Sequence, residues 1–160
     1  MTQRLDYMKA DPGALRALFE AGTYLDHTDI DPVLRELVFL RASQINGCAF
    51  CIAMHHRVLA AHGEQGDRVW GLSAWREASW YTPRERAALA YTEAVTRIAD
   101  GPVSDDLYAQ VREHFDDAGL VALTLAIATI NSWNRFAISF RTPPEAAEAV
   151  LRRLRGPAVV

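Results

Sequence analysis

The chain has 160 residues, 50% of them hydrophobic and 23% charged, with a net charge of −3 and a pI near 5.9. That is enough for one domain with its own core, expected to span residues 1–160. The mildly acidic balance and the single lysine, Lys9, exclude a nucleic-acid surface.

The first stretch, MTQRLDYMKADPG, has no apolar segment of the signal-peptide kind. A helix is predicted from about Pro12 to Tyr24, with Leu15, Leu18 and Phe19 on its apolar side. Asp26 to Asp31 is a polar connection. Asp31-Pro32 then starts a helix, with Asp as N-cap and Pro at the first helical position. This helix buries Leu34, Leu37, Val38 and Ile45, and Asn46-Gly47 breaks it, because both residues tolerate a left-handed backbone. A further helix begins close to Cys48 and ends near Gly63, with Ile52, Val58 and Leu59 apolar.

Asp67 to Arg76 reads as a short helix carrying Val69, Trp70 and Leu72, followed by an irregular stretch with Trp75, Trp80 and Tyr81. Thr82-Pro83-Arg84-Glu85 is a capping box that opens a helix to about Ala99, and Asp100-Gly101-Pro102 ends it. Ser104 caps a helix to about Phe115. A long apolar helix follows, from about Asp117 to Phe140. Its uncharged run, residues 118–134, is short for a membrane span and holds Asn131 and Asn134, so it is read as a core helix. Thr142-Pro143-Pro144-Glu145 repeats the capping-box pattern before a last helix through about Arg153. The sum is an all-α domain of seven or eight helices.

The chemistry concentrates in ELVFLRASQINGCAFCIAMHH, Glu36 to His56. Both cysteines of the chain, Cys48 and Cys51, stand there as a Cys-x-x-Cys pair. Without an export signal the expected compartment is the cytoplasm, where such a pair reads as redox or metal chemistry, not as a structural disulfide. Cys51 and His55 are four apart on a helix, with Cβ atoms roughly 5–6 Å apart, and Cys48 falls on the same face. If the chain folds back at Gly47 as a helical hairpin, Glu36 comes opposite Val58. His55 is then three residues away, or about 4.5 Å along the axis. The spacing permits a chain Glu36–His55–Cys51, in which an acid orients a base that faces a nucleophile. A free thiol is mostly protonated at neutral pH, so it needs that base. A second cysteine resolves the oxidised sulfur to a disulfide. The two sulfurs pull in different directions, since the helix N-terminus favours a thiolate at Cys48 and the histidine favours Cys51. The reading adopted is that Cys51 meets the peroxide and Cys48 exchanges with an outside reductant.

At these residues the sequence resembles the alkylhydroperoxidase D-like proteins of the carboxymuconolactone decarboxylase family. The pattern is Glu, eleven residues, Cys-x-x-Cys, three residues, His, matched here by Glu36, Cys48, Cys51 and His55 without a gap. The likeness continues through LRASQINGCAFCIAMH, SAWRE, TPRERAALAYTEAVT and INSWNR, from about Leu34 to Arg135. It implies an all-α fold and reduction of hydrogen peroxide or organic hydroperoxides through the Cys-x-x-Cys disulfide. It further implies the relay Glu36, His55, Cys51, with no metal, haem or other cofactor. An external dithiol reductant, lipoyl- or thioredoxin-like, and a homo-oligomer, trimer or hexamer, are implied as partners. Neither nucleic acid nor membrane is expected. The founding peroxidase is a longer chain, so its particular reductant does not carry over. The decarboxylases of the fold lack the cysteine pair.

Other readings stand beside this one. The cysteines can be half of a zinc site with His55 or His56, but a closed site wants four ligands and no second cluster exists. The pair can serve disulfide exchange or redox-switched binding, the pocket can serve a decarboxylase-type lyase, or the chain can be a structural helical oligomer. Trp70, Trp75, Trp80 and Trp133 read either as the lining of a pocket above the thiols or as core and interface packing. Asn131, Asn134 and Arg135 either tie helices together or line a site.

Overall fold

The computed structural model describes residues 2–154; the last part of the expected 1–160 domain, residues 155–160, lies outside the described residues. These residues form nine α-helices and no strand. They are α1 (Tyr7–Ala10), α2 (Arg16–Leu25), α3 (Pro32–Asn46), α4 (Ala49–Ala61), α5 (Asp67–Trp70), α6 (Pro83–Thr96), α7 (Asp105–Arg112), α8 (Asp117–Ser139) and α9 (Ala147–Leu154). Three short 3₁₀ turns precede α2, follow α5 and precede α9. The all-α expectation holds. The four-residue α1, with no apolar period to reveal it, is the helix that the sequence reading does not place.

The centre is α3, which packs against α4, α6 and α8. Its start is built as expected: the Asp31 side chain accepts the Leu34 N–H at 3.0 Å and Pro32 fills the first turn. α3 has no single apolar face, as befits a helix covered on several sides. Leu34 and Val38 join Ala87, Tyr91, Leu123 and Ile127 in one core cluster. Leu37 and Leu40 join Leu59, Leu72, Trp75 and Leu89 in a second. Ala42 enters a third with Cys48, Cys51, Phe50 and Ile130. Burying each of the larger aliphatic side chains stabilises the fold by about 1.5–3 kcal/mol. Ile45, expected in the core, is half-buried.

α3 ends in a Schellman motif. Gly47 is left-handed (φ 70°, ψ 31°), its N–H donates to Gln44 O at 3.3 Å, and the Cys48 N–H donates to Ser43 O at 3.0 Å. This closure turns the chain back on itself, and α4 starts two residues later. α3 and α4 are therefore the hairpin that the Asn46-Gly47 break predicts.

The capping box at Thr82 and Glu85 is present in both directions, with Glu85 N donating to Thr82 Oγ1 at 3.3 Å and Thr82 N donating to Glu85 Oε2 at 2.8 Å. Its apparent repeat at Thr142 is not: the last helical stretch is entered from Pro143, without a side-chain cap. The helix expected over Asp67 to Arg76 stops at Trp70. The chain tightens there into the 3₁₀ turn Gly71–Ala74, and a Cβ on Gly71 would lie 2.4 Å from the Trp80 ring. Trp70 is 75% exposed, with its ring edge-on to His56 at 5.6 Å.

Candidate functional site

The hairpin brings Glu36 on α3 and His55 on α4 into direct contact. His55 Nδ1 lies 2.7 Å from Glu36 Oε2, and both side chains are buried. A carboxylate can only accept, so Nδ1 carries the proton and Nε2 is left with its lone pair. Nε2 is buried and has no hydrogen-bond partner among the described residues. Phe39, three residues after Glu36, sets its ring against the imidazole with centroids 5.1 Å apart.

Cys48 is the N-cap of α4, and its sulfur accepts the Cys51 N–H at 3.4 Å. The two thiols are 2% and 1% exposed, and each is the other's principal electrostatic neighbour. The hydrogen bond from the Cys51 thiol pulls Cys48 below an ordinary thiol. Burial opposes this, and the N–H groups of Cys51 and Phe50 at the helix start add to it. Its hydrogen bond to Cys48, burial and the negative charge of Cys48 together push the Cys51 thiol up. On first ionisation the pair therefore keeps one proton, on Cys51, and puts the charge on Cys48. Of the two sulfurs that the sequence sets against each other, the one at the helix start takes the resting charge, held there chiefly by the Cys51 thiol and secondarily by the helix N–H groups.

Access favours the other sulfur. A cavity of about 400 Å³ is lined by Cys51 and His55 but not by Cys48. Most of its wall is apolar, from Leu18, Phe19, Phe39, Phe50, Met54, Ile130 and Trp133. Trp133 is thus the one tryptophan that meets the pocket reading. Trp75 belongs to the second core cluster, and Trp70 and Trp80 are exposed. A larger cleft of about 740 Å³ runs along α6 and α7 past Glu93 and Arg97 and touches neither thiol.

Asn134 resolves its two readings in both senses. It is fully buried, donates to Ser43 Oγ at 3.0 Å and accepts from Asn46 Nδ2 at 2.8 Å, tying α8 to the end of α3. Its amide also hydrogen-bonds the cysteine pair and lowers both thiols. Asn131 shares the Asn46 amide at 2.9 Å and reaches Thr96 at 3.1 Å, while Arg135 caps the Asn131 carbonyl at 2.7 Å. These two are structural ties. His56 faces Trp70, away from the thiols. Among the described residues no group of three or more His, Cys, Asp or Glu could hold a metal ion, and no helix is long and apolar enough to cross a membrane. The sequence marks Asn134 as a polar residue in an apolar helix, and it gives no comparable sign of Phe39.

Residues 12–94 match the carboxymuconolactone decarboxylase family. The chain is 42% identical over 139 residues to the uncharacterized protein YdfG of Bacillus subtilis, covering 87% of this chain and 95% of that one. It is 31% identical to the uncharacterized protein YnjA of Escherichia coli over 72% of this chain and 63% of YnjA. Among solved structures, ATU0492 of Agrobacterium tumefaciens superposes with a TM-score of 0.85 at 39% identity, covering 89% of this chain and 97% of that one. ATU0492 is described as a protein of unknown function proposed to be the antioxidant defence protein AhpD. The debrominase Bmp8 superposes at 0.78 over 89% of this chain and 77% of its own, and at 18% identity it shares the fold alone.

Proposed function

The chain belongs to the carboxymuconolactone decarboxylase family, and from that premise we propose that it is an AhpD-like thiol peroxidase, which reduces hydroperoxides through Cys48 and Cys51. One observation carries the reading: the Glu36–His55 hydrogen bond leaves Nε2 without a partner, and His55 and Cys51 line the same cavity.

In the reaction, one thiol proton passes to His55 Nε2, and the remaining proton is shared between the sulfurs. When it sits on Cys48, Cys51 is the thiolate beside the cavity. Cys51 Sγ attacks the distal oxygen of the hydroperoxide and the O–O bond breaks. The alkoxide takes the proton from His55 and leaves as an alcohol, and Cys51 is now a sulfenic acid. Cys48 Sγ then attacks Cys51 Sγ. Its proton leaves with the hydroxide as water, and the disulfide forms. Two thiols and one hydroperoxide become a disulfide, an alcohol and water. An external dithiol closes the cycle.

The burial of both sulfurs supports peroxide as the oxidant over exchange with a protein disulfide, because a small hydroperoxide fits a narrow apolar cavity and a folded protein does not. It equally supports a slender dithiol reductant of the lipoyl kind. Assembly as a homotrimer or homohexamer belongs to the same proposal, and the exposed Trp70 and Val121 supply apolar surface for it. The proposal places the reaction in the cytoplasm.

The test is a reductant-coupled peroxidase assay on wild type, Cys48→Ser and Cys51→Ser. Both variants are expected to lose turnover. Retention of full turnover by either one contradicts the proposal.

A further inference from the structure

The cavity beside Cys51 has one cationic side chain in its wall that the peroxide chemistry does not use. Arg35 lines it, one residue before Glu36. The side chain is 16% exposed and pairs through Nη1 with Asp26 Oδ1 at 2.7 Å, where Asp26 itself is 60% exposed. Arg35 Nε is buried and has no hydrogen-bond partner among the described residues. Buried donors without partners are rare in folded proteins, and a guanidinium has a flat edge whose N–H groups match a carboxylate. Asp26 and Thr23 line the cavity as well, and most of the remaining wall is apolar.

We propose that this cavity binds carboxylic acids with an apolar body, and that Arg35 holds their carboxylate through its Nε edge. A monoanion fits better than a phosphate, because Asp26 already balances the Arg35 charge and repels a dianion more strongly than a monoanion. Arg35 and Phe39 are four residues apart on α3 and share its cavity-facing side, and Phe39 lies 5.1 Å from the His55 ring. With roughly 5–6 Å between the first two, the acid group and the reacting end of a ligand are separated by on the order of 10 Å. Together with the peroxidase reading of the same site, on which this last step rests, the substrates are hydroperoxides of aromatic or short-chain fatty acids. Arg35 then selects the substrate and does not touch the reacting atoms.

Binding is tested with a ligand that carries no peroxide, so that it stands or falls apart from turnover. Calorimetric titration of the full chain compares para-tert-butylbenzoate with para-tert-butylbenzamide, which has the same shape and no charge. Wild type is expected to bind the carboxylate at least tenfold more tightly. Arg35→Met is expected to erase the difference by weakening the carboxylate alone, and Arg35→Lys to keep part of it. Asp26→Asn, with its folding checked by circular dichroism, is expected to tighten the carboxylate severalfold and leave the amide unchanged. Equal binding of the two ligands by wild type, a preference that survives Arg35→Met, or an unchanged carboxylate affinity in Asp26→Asn overturns the proposal. If the carboxylate preference appears and no hydroperoxide is turned over, it is the peroxidase reading that fails and the binding site that stands.

Discussion

Glu36 Oε2 and His55 Nδ1 are 2.7 Å apart, on neighbouring helices joined by a turn centred on one left-handed glycine. The contact fixes the imidazole tautomer and leaves Nε2 without a partner, on a residue that lines one cavity with Cys51. A buried acid that does nothing but orient a base is expensive to keep, so its removal has a defined signature. Glu36→Gln is expected to lower peroxidase kcat/KM by about 10–100-fold. His55→Ala is expected to lower it by about 10²–10⁴-fold. Steady-state kinetics with an organic hydroperoxide measure both, and a Glu36→Gln variant with wild-type kcat/KM would remove the relay from the account.

The thiol pair gives a pH dependence. The Cys51 thiol, and more weakly the helix N–H groups and Asn134, hold Cys48 below the ordinary thiol value of 9.0 despite its burial. Thiolate absorbance followed against pH is expected to show its first inflection below that value in wild type. Asn134→Ala removes a hydrogen bond that favours the thiolate, so the inflection moves to higher pH. An inflection that stays in place or falls contradicts the role given to Asn134.

Gly47→Ala tests the hairpin. The position is left-handed and nothing crowds an added Cβ, so the cost is backbone strain alone. Urea unfolding is expected to show a loss of about 1–2 kcal/mol. No loss would mean that the Schellman closure is not what sets the turn.

Glu93 on α6 is a stability centre away from the thiols. It accepts from Trp75 Nε1 at 2.9 Å and from Arg41 Nε at 2.8 Å, and pairs with Arg76. Burial alone would raise its carboxyl, but the hydrogen bonds from Trp75, Arg76 and Arg41 outweigh burial and hold it below the usual 4.5. Because the folded value is depressed, its contribution is fully present above about pH 4.5 and is lost as pH falls through the lower folded value. Glu93→Gln leaves Arg41 buried without its counter-charge and is expected to cost about 3 kcal/mol at neutral pH. The gap to wild type should narrow in acid. A gap that stays constant from neutral pH into acid contradicts this assignment.

The hairpin and the Glu36–His55 contact were legible because both follow from local rules. Asn46-Gly47 is a turn signal, and the rise per residue of a helix then places Glu36 near His55. The Thr82 capping box was legible for the same reason. What the sequence hid is what depends on distant packing. The Asp67 helix gives way to a 3₁₀ turn at Gly71, where Trp80, nine residues on, packs so close that only glycine fits. The approach of Asn134 to the thiols joins positions more than 80 residues apart, so a polar residue in an apolar helix could not be assigned to them from local rules. Which sulfur holds the resting charge and which one lines the cavity was left open by the sequence, since the first depends on the hydrogen bond from Cys51 to Cys48 and the second on packing around the cavity.

The central claim is that Cys51 receives the peroxide oxygen and Cys48 resolves it. Stopped-flow reaction of Cys48→Ser and Cys51→Ser with cumene hydroperoxide, in the presence of a sulfenic-acid trap and followed by peptide mass mapping, tests it most directly. The account predicts a trapped sulfenic acid on Cys51 in Cys48→Ser, formed at close to the wild-type rate of thiol loss, and a slow reaction in Cys51→Ser. Rapid trapping on Cys48 in Cys51→Ser, with Cys48→Ser inert, would contradict it.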